Sequence, residues 1–227
     1  MLIKYWMTKE VVTIEHDASM DVAGNLMKEN NIAMLPVMKN GKLVGIVSDR
    51  DLKRAAASDA TTLEIHELLY LISTIKVENI MTGNPITAPE DSTVEETAET
   101  LLLNKISSVP VVDQDGAIVG VISKSDIFRS LIRLTGFGKR GIQFAFEFAD
   151  ESGKIQDITD IVRNHGGRLV SVLSSYEGMP EGVRKVYIRA YGVDQTDMKD
   201  LEQSLKRKVT LLYLIDHRVN SRNIFSS

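Results

Sequence analysis

Gly45-Ile46-Val47-Ser48-Asp49-Arg50-Asp51 returns later in the chain as Gly120-Val121-Ile122-Ser123-Lys124-Ser125-Asp126, and this pair of copies decides the fold. Toward the N-terminus the match continues. Ile32-Ala33-Met34-Leu35-Pro36-Val37 returns as Ile106-Ser107-Ser108-Val109-Pro110-Val111, Val12-Thr13-Ile14 as Ile86-Thr87-Ala88, and Trp6-Met7-Thr8 as Ile80-Met81-Thr82. The offset is 74 residues up to Val37 and 75 from Asn40-Gly41 onward, where Asp115-Gly116 is the counterpart. Two copies at so long an offset exclude a solenoid of short stacked repeats.

Each copy predicts strand, helix, strand, strand, helix. The first helix carries an apolar stripe, Val22, Leu26 and Met27 in copy one and Val94, Ala98, Leu101 and Leu102 in copy two. Leu35–Met38 and Leu43–Val47 flank Lys39-Asn40-Gly41-Lys42, a hairpin with Asn-Gly at its turn, and Val109–Val112 and Ile118–Ile122 repeat it. The last helix opens at Ser48 or Ser123 and sends Leu52 or Ile127 inward. Between the copies, Ala60–Lys76, with Leu63, Leu68, Leu69 and Ile72, reads as a helical insertion.

The chain has 227 residues, 43% of them hydrophobic and 26% charged, the balance of a globular protein with one or two domains. No apolar run reaches the roughly 18 residues of a membrane span, and the N-terminus lacks the pattern of a signal peptide. The absence of cysteine excludes disulfides, thiolate metal sites and a cysteine nucleophile, and fits a cytoplasmic location. Residues 1–135 hold 13 basic and 19 acidic side chains, a net of −6, whereas 136–227 hold 14 and 12, a net of +2. An acidic first part argues against nucleic acid as a partner. The change of sign falls at Thr135-Gly136-Phe137-Gly138-Lys139-Arg140-Gly141, which reads as a linker.

The Met-Thr entry, the apolar-Pro-Val strand, the Gly turn and the Gly-x-x-Ser-x-x-Asp finish, each present twice and in order, resemble the cystathionine-β-synthase (CBS) domain family. The resemblance covers about residues 3–135. It implies a pair of units packed as one pseudo-symmetric disc with two clefts, and discs of this kind commonly form homo-oligomers. The expected domains are a first CBS unit with its insertion at 1–76, a second at 77–135, a linker at 136–141 and a further domain at 142–218.

Two readings of Gly-x-x-Ser-x-x-Asp stand side by side. As a strand running into a helix N-terminus it offers backbone N–H groups and a helix dipole to an anion, a serine hydroxyl to a phosphate, and a carboxylate one turn later to a ribose diol. As Ser-x-x-Asp it is close to a capping box that satisfies the helix's own donors. The family resemblance implies the ligand reading, with Thr13, Pro36, Ser48 and Asp51 in one cleft and Thr87, Pro110, Ser123 and Asp126 in the other. The implied ligand is AMP, ADP, ATP or S-adenosylmethionine, and no cofactor is required. Lys124 stands where the first copy has Asp49, so the second cleft is expected to favour phosphorylated adenosines.

From Ile142 the pattern changes. Ile142, Phe144, Phe146 and Phe148 alternate with Gln143, Ala145, Glu147 and Ala149 as in a half-buried strand. Ile155, Ile158 and Val162 share a helix face ended by His165-Gly166-Gly167, and strands follow at Leu169–Leu173 and Val186–Ala190. A second helix carries Met198, Leu201 and Leu205, and a last strand covers Val209–Ile215. The whole chain is thus of the mixed α/β (α+β) class, its C-terminal part in the ferredoxin-like order βαββαβ. That part resembles the ACT domain, a small regulatory module, with Ser152-Gly153 where many ACT domains have Pro-Gly. Paired CBS units followed by an ACT-like domain are similar to the acetoin-utilisation AcuB-like proteins.

His16, His66, His165 and His217 lack metal-ligand spacing and are expected in solvated or capping roles. Phosphate-loop, dinucleotide and nucleophile-elbow motifs are absent, and nothing pairs a nucleophile with a base. The expectation is a non-catalytic regulatory protein that senses an adenosyl ligand. The alternative is an accessory subunit acting through contacts with a regulated enzyme in acetoin or central carbon metabolism.

Overall fold

The computed structural model describes residues 1–59 and 73–225, which fall into two compact units, Met1–Phe128 and Arg129 onward. Most of the expected helical insertion, residues 60–72, lies outside the described residues.

In the first unit, copy one supplies β1 (Ile14–Glu15), α1 (Met20–Glu29), β2 (Met34–Lys39), β3 (Lys42–Ser48) and α2 (Asp49–Asp59). Copy two supplies β4 (Thr82–Gly83), β5 (Ala88–Pro89), α3 (Val94–Leu103), β6 (Ser108–Val112), β7 (Ile118–Ser123) and the start of α4 (Lys124–Leu134), whose residues from Arg129 onward belong to the second unit. Asn40 and Gly41 both take positive φ, 51° and 74°, as the tight hairpin between β2 and β3 requires. Both first helices start on side-chain caps. Ser19 Oγ accepts from Val22 N–H, and Thr93 and Glu96 form a full capping box. The stripe that α1 buries is Met20, Ala23 and Met27, and the one that α3 buries is Val94, Thr97 and Leu101. Val22 and Leu102, expected on these stripes, are 44% and 69% exposed. The 3.6-residue period carries each to the flank of its helix, so apolar character alone misplaced them.

The two copies exchange their entry segments. β4, at the entry of copy two, adds to the sheet of copy one, which runs β1-β2-β3-β4, with Gly45 opposite Gly83 and Ile46 opposite Thr82. Conversely, Thr8 of copy one pairs with Val121 on β7 through two N–H···O bonds of 2.9 Å. The cores follow the exchange. Ile3, Trp6 and Met7 pack with Val94, Leu101, Val109, Val111 and Ile122, while Val77, Ile80 and Met81 pack with Ile14, Ala23, Leu35, Val37 and Val47. Ile3 and Val77 are fully buried, each contributing about 1.5–3 kcal/mol.

The repeated glycine of Gly-x-x-Ser-x-x-Asp is explained by this exchange. A Cβ on Gly45 would stand 2.6 Å from Met81 Sδ and 3.0 Å from Thr82 O, and one on Gly120 2.4 Å from Met7 Sδ and 3.0 Å from Thr8 O. Gly120→Ala is therefore expected to lower the stability of the first unit by about 1–3 kcal/mol, the usual cost of overpacking. Adding Met7→Ala should recover part of that loss in urea unfolding. Costs that simply add would show that the two residues do not pack against each other.

The second unit has the expected order: β8 (Ile142–Ala149), α5 (Lys154–Asn164), β9 (Arg168–Ser175), β10 (Val183–Tyr191), α6 (Met198–Lys206) and β11 (Thr210–Asp216). One more strand follows, β12 (Ser221–Ile224), and the sheet order is β12-β11-β8-β10-β9. β12 has no apolar alternation in Ser-Arg-Asn-Ile to announce it; it is held by edge pairing to β11 and by Asn223 donating to Glu202 of α6 at 3.4 Å. Phe144, Phe146, Ile188, Ile158, Leu201 and Leu205 fill the core between one sheet face and the two helices. His217, expected to be solvated or capping, is instead half-buried, with its ring edge-on to Phe137 at 5.4 Å.

Asp216, at the end of β11, is 2% exposed. Burial raises its pKa, but hydrogen bonds from the Arg218 side chain and backbone and from Gln195 (2.7–2.9 Å) outweigh burial and hold it below the ordinary carboxylate value. A depressed folded-state pKa gives stability that is present above the unfolded value and lost as pH falls through the folded one. The second unit should thus lose stability on acidification below about pH 4. Asp216→Asn should flatten that dependence in pH-resolved thermal melts; an unchanged acid limb would contradict the assignment.

Candidate functional site

Register brings the expected site residues to one end of each three-stranded core. β1 runs parallel to β2 with Ile14 opposite Val37, so Thr13 falls opposite Pro36, and Ser48 lies opposite Met34 at the same end of the antiparallel pair β2–β3. In copy two, Ala88 opposite Val111 sets Thr87 against Pro110, and Ser123 lies opposite Ser108. Pro36 and Pro110 are buried, Ser48, Ser123 and Thr87 are half-buried, and Thr13 is exposed. A proline inside a strand has no N–H to give to the ladder.

The Ser-x-x-Asp motif forms the same network in both copies. Ser48 Oγ donates to Asp51 Oδ2 at 2.6 Å, Ser48 N–H donates to the same oxygen at 3.0 Å, and Asp51 N–H reaches back to Ser48 Oγ at 3.4 Å. The values for Ser123 and Asp126 are 2.7, 2.9 and 3.3 Å. This is the reciprocal capping box. Both carboxylates are nearly buried, Asp51 9% and Asp126 7% exposed. The first N–H of each helix is also engaged, since Asp49 N–H donates to Ala33 O at 3.1 Å and Lys124 N–H to Ser107 O at 2.9 Å. An anion there would not meet a ring of unpaired N–H groups. A ligand would instead meet two carboxylates, each held ready by a serine at the end of a strand.

Arg54, not foreseen at this site, donates to Asp51 Oδ1 at 2.9 Å. The signal for it was the i,i+3 spacing from the aspartate. Asp49 and Lys124, the first residues of α2 and α4, line a different pair of features. Lys124 borders an apolar groove of about 140 Å³ with Ala98, Leu101, Leu102, Ile127 and Phe128. Asp49 borders the matching groove beside Gly24, Met27 and Leu52, and donation from Lys53 at 3.0 Å holds its carboxyl below the ordinary range. The Lys124-for-Asp49 contrast thus lies along the helix pairs.

The CBS domain model matches residues 3–58 and 77–133. A CBS domain-containing protein of Dictyostelium discoideum is 35% identical over 135 residues, which span 59% of this chain and 93% of that protein. The inosine-5′-monophosphate dehydrogenase of Thermoplasma acidophilum is 37% identical over 119 residues, 52% of this chain but 21% of the enzyme. Among solved structures, the CBS domain pair of protein MJ0100, in complex with 5′-methylthioadenosine and S-adenosyl-L-methionine, is 32% identical. It superposes with a TM-score of 0.50 over 58% of this chain and 95% of that one.

Without ligand the serines act as helix caps. Ser48→Ala and Ser123→Ala should each lower stability in urea unfolding by about 0.5–2 kcal/mol, and the glycine variants by only a few tenths. Alanine variants as stable as the parent would contradict the capping role.

Proposed function

We propose, from the premise that the chain belongs to the CBS domain family, that its paired repeat is a non-catalytic sensor of an adenosyl small molecule. One observation carries the reading: a CBS pair 32% identical over nearly its whole length holds S-adenosyl-L-methionine and 5′-methylthioadenosine. S-adenosylmethionine therefore leads the candidates, ahead of AMP, ADP and ATP. Thr13, Pro36, Ser48 and Asp51 form one site and Thr87, Pro110, Ser123 and Asp126 the other, while Lys124 borders the neighbouring α3–α4 groove. In this reading the capping box is the resting state of the site. The ribose diol donates to the aspartate, which already sits at a helix start, and the serine hydroxyl turns to the ligand. Binding thereby acts on the first turn of α2 or α4. The second unit, with its ferredoxin-like order and ACT-like pattern, serves assembly or a second metabolite.

A second reading, an accessory subunit working through protein contacts in the manner of AcuB-like proteins, draws on one feature. Leu102, Leu103 and Phe128 are 69%, 75% and 64% exposed along α3 and α4. Apolar residues grouped on a surface mark a contact site. The first partner we assign to them is a second copy of this chain, in closed symmetry, and a regulated enzyme is the other. Phe128→Glu should then leave a 25.2 kDa monomer in light scattering where the parent is larger; a monomeric parent would contradict the homo-oligomer.

Calorimetry with S-adenosylmethionine, 5′-methylthioadenosine, AMP and ATP tests the sensor. At least one should bind, and Asp51→Asn with Asp126→Asn should weaken it by about tenfold or more, the loss of a charge-assisted hydrogen bond. If the double variant binds as tightly as the parent, the capping box is the motif's whole role.

A further inference from the structure

The second unit contains a buried positive charge with no anion beside it, and this lies apart from the adenosyl reading. Arg189, on β10, is 5% exposed. Its Nη2 donates to Gln143 Oε1 at 2.8 Å, and Gln143 Nε2 in turn donates to Tyr213 Oη at 3.2 Å. Nη1 is buried with no hydrogen-bond partner, and among the described residues no carboxylate lies within ion-pair distance of the guanidinium. The face of Phe137 covers one side at 5.4 Å. Buried guanidinium groups are normally paired, because the desolvation of an unpaired charge is expensive.

Arg189 borders a concavity of about 90 Å³, lined also by Thr135, Gln143, Ser171, Leu173 and Tyr187. We infer that this is a binding site for a small aliphatic monocarboxylate, whose anionic end is the missing counter-ion of Arg189. One guanidinium balances one negative charge and matches the planar geometry of a carboxylate. The volume, that of about three water molecules, admits a carboxylate with a short carbon tail. Leu173 supplies an apolar wall for that tail, and the Tyr187 hydroxyl offers a further donor, whereas the Ser171 hydroxyl already donates to Thr135 O at 3.0 Å.

The test uses the full chain at constant ionic strength in chloride, with propionate as the probe and inorganic phosphate as the control, read by ligand-observed saturation-transfer NMR. Propionate should bind saturably and phosphate at least about tenfold more weakly. Leu173→Trp fills the concavity while keeping Arg189 and should abolish the signal. Arg189→Met should abolish it too, and in the same chloride buffer without propionate should melt at or above the parent temperature, because it removes an unpaired buried charge. Absence of propionate binding to the parent, binding that survives both substitutions, or tighter binding of phosphate would each overturn the inference. Failure of calorimetry with adenosyl ligands would leave it untouched.

Discussion

The first unit depends on the reciprocal exchange of entry segments. Each repeat lacks part of its own core and one edge of its own sheet, and the other repeat supplies both. Ile3, Trp6 and Met7 close the core of the second copy, and Val77, Ile80 and Met81 close that of the first. A single repeat would leave fully buried residues such as Leu35 and Val109 without their cover. The pair is thus the smallest stable unit, which is the physical reason the motif occurs twice in one chain. The exchange also fixes the glycine in front of each Ser-x-x-Asp, because only a residue without a side chain admits the methionine and carbonyl from the other copy.

The exchange positions the candidate sites. The entry segments pair with Gly45 and Ile46 on β3 and with Val121 on β7, two residues before the serines that open α2 and α4. The resulting sites are pre-set rather than vacant, with every carboxylate already hydrogen-bonded through Oδ2. A ligand that takes over the aspartate must offset the loss of a helix cap, so binding and helix stability are coupled by construction.

Much of this was legible in the sequence because it rests on local pattern. Asn40-Gly41 announced the hairpin, the alternation from Ile142 to Ala149 announced β8, and the matched Ser-x-x-Asp pairs announced the helix caps. What was not legible depends on residues distant in sequence. Trp6-Met7-Thr8 gives no sign that it serves the other copy. Val22 and Leu102 are apolar yet exposed, since helix phase depends on which flank meets the sheet. Arg189 reads as one more basic residue in an alternating strand, and only the fold reveals that it is buried without an anion. β12 exists through its pairing with β11 and has no pattern of its own.

The central claim, that the paired repeat binds an adenosyl molecule at the strand ends carrying Ser48–Asp51 and Ser123–Asp126, is tested most directly by amide-resolved NMR of the full chain titrated with 5′-methylthioadenosine. The account predicts saturable shifts at the Ser48 and Ser123 N–H groups bonded to the aspartates, and at the neighbours of Thr13, Pro36, Thr87 and Pro110. Shifts confined to one copy would still meet the claim for that site. Saturable shifts that instead fall on the α3–α4 groove around Leu102 and Phe128, with both serine amides unmoved, would contradict it.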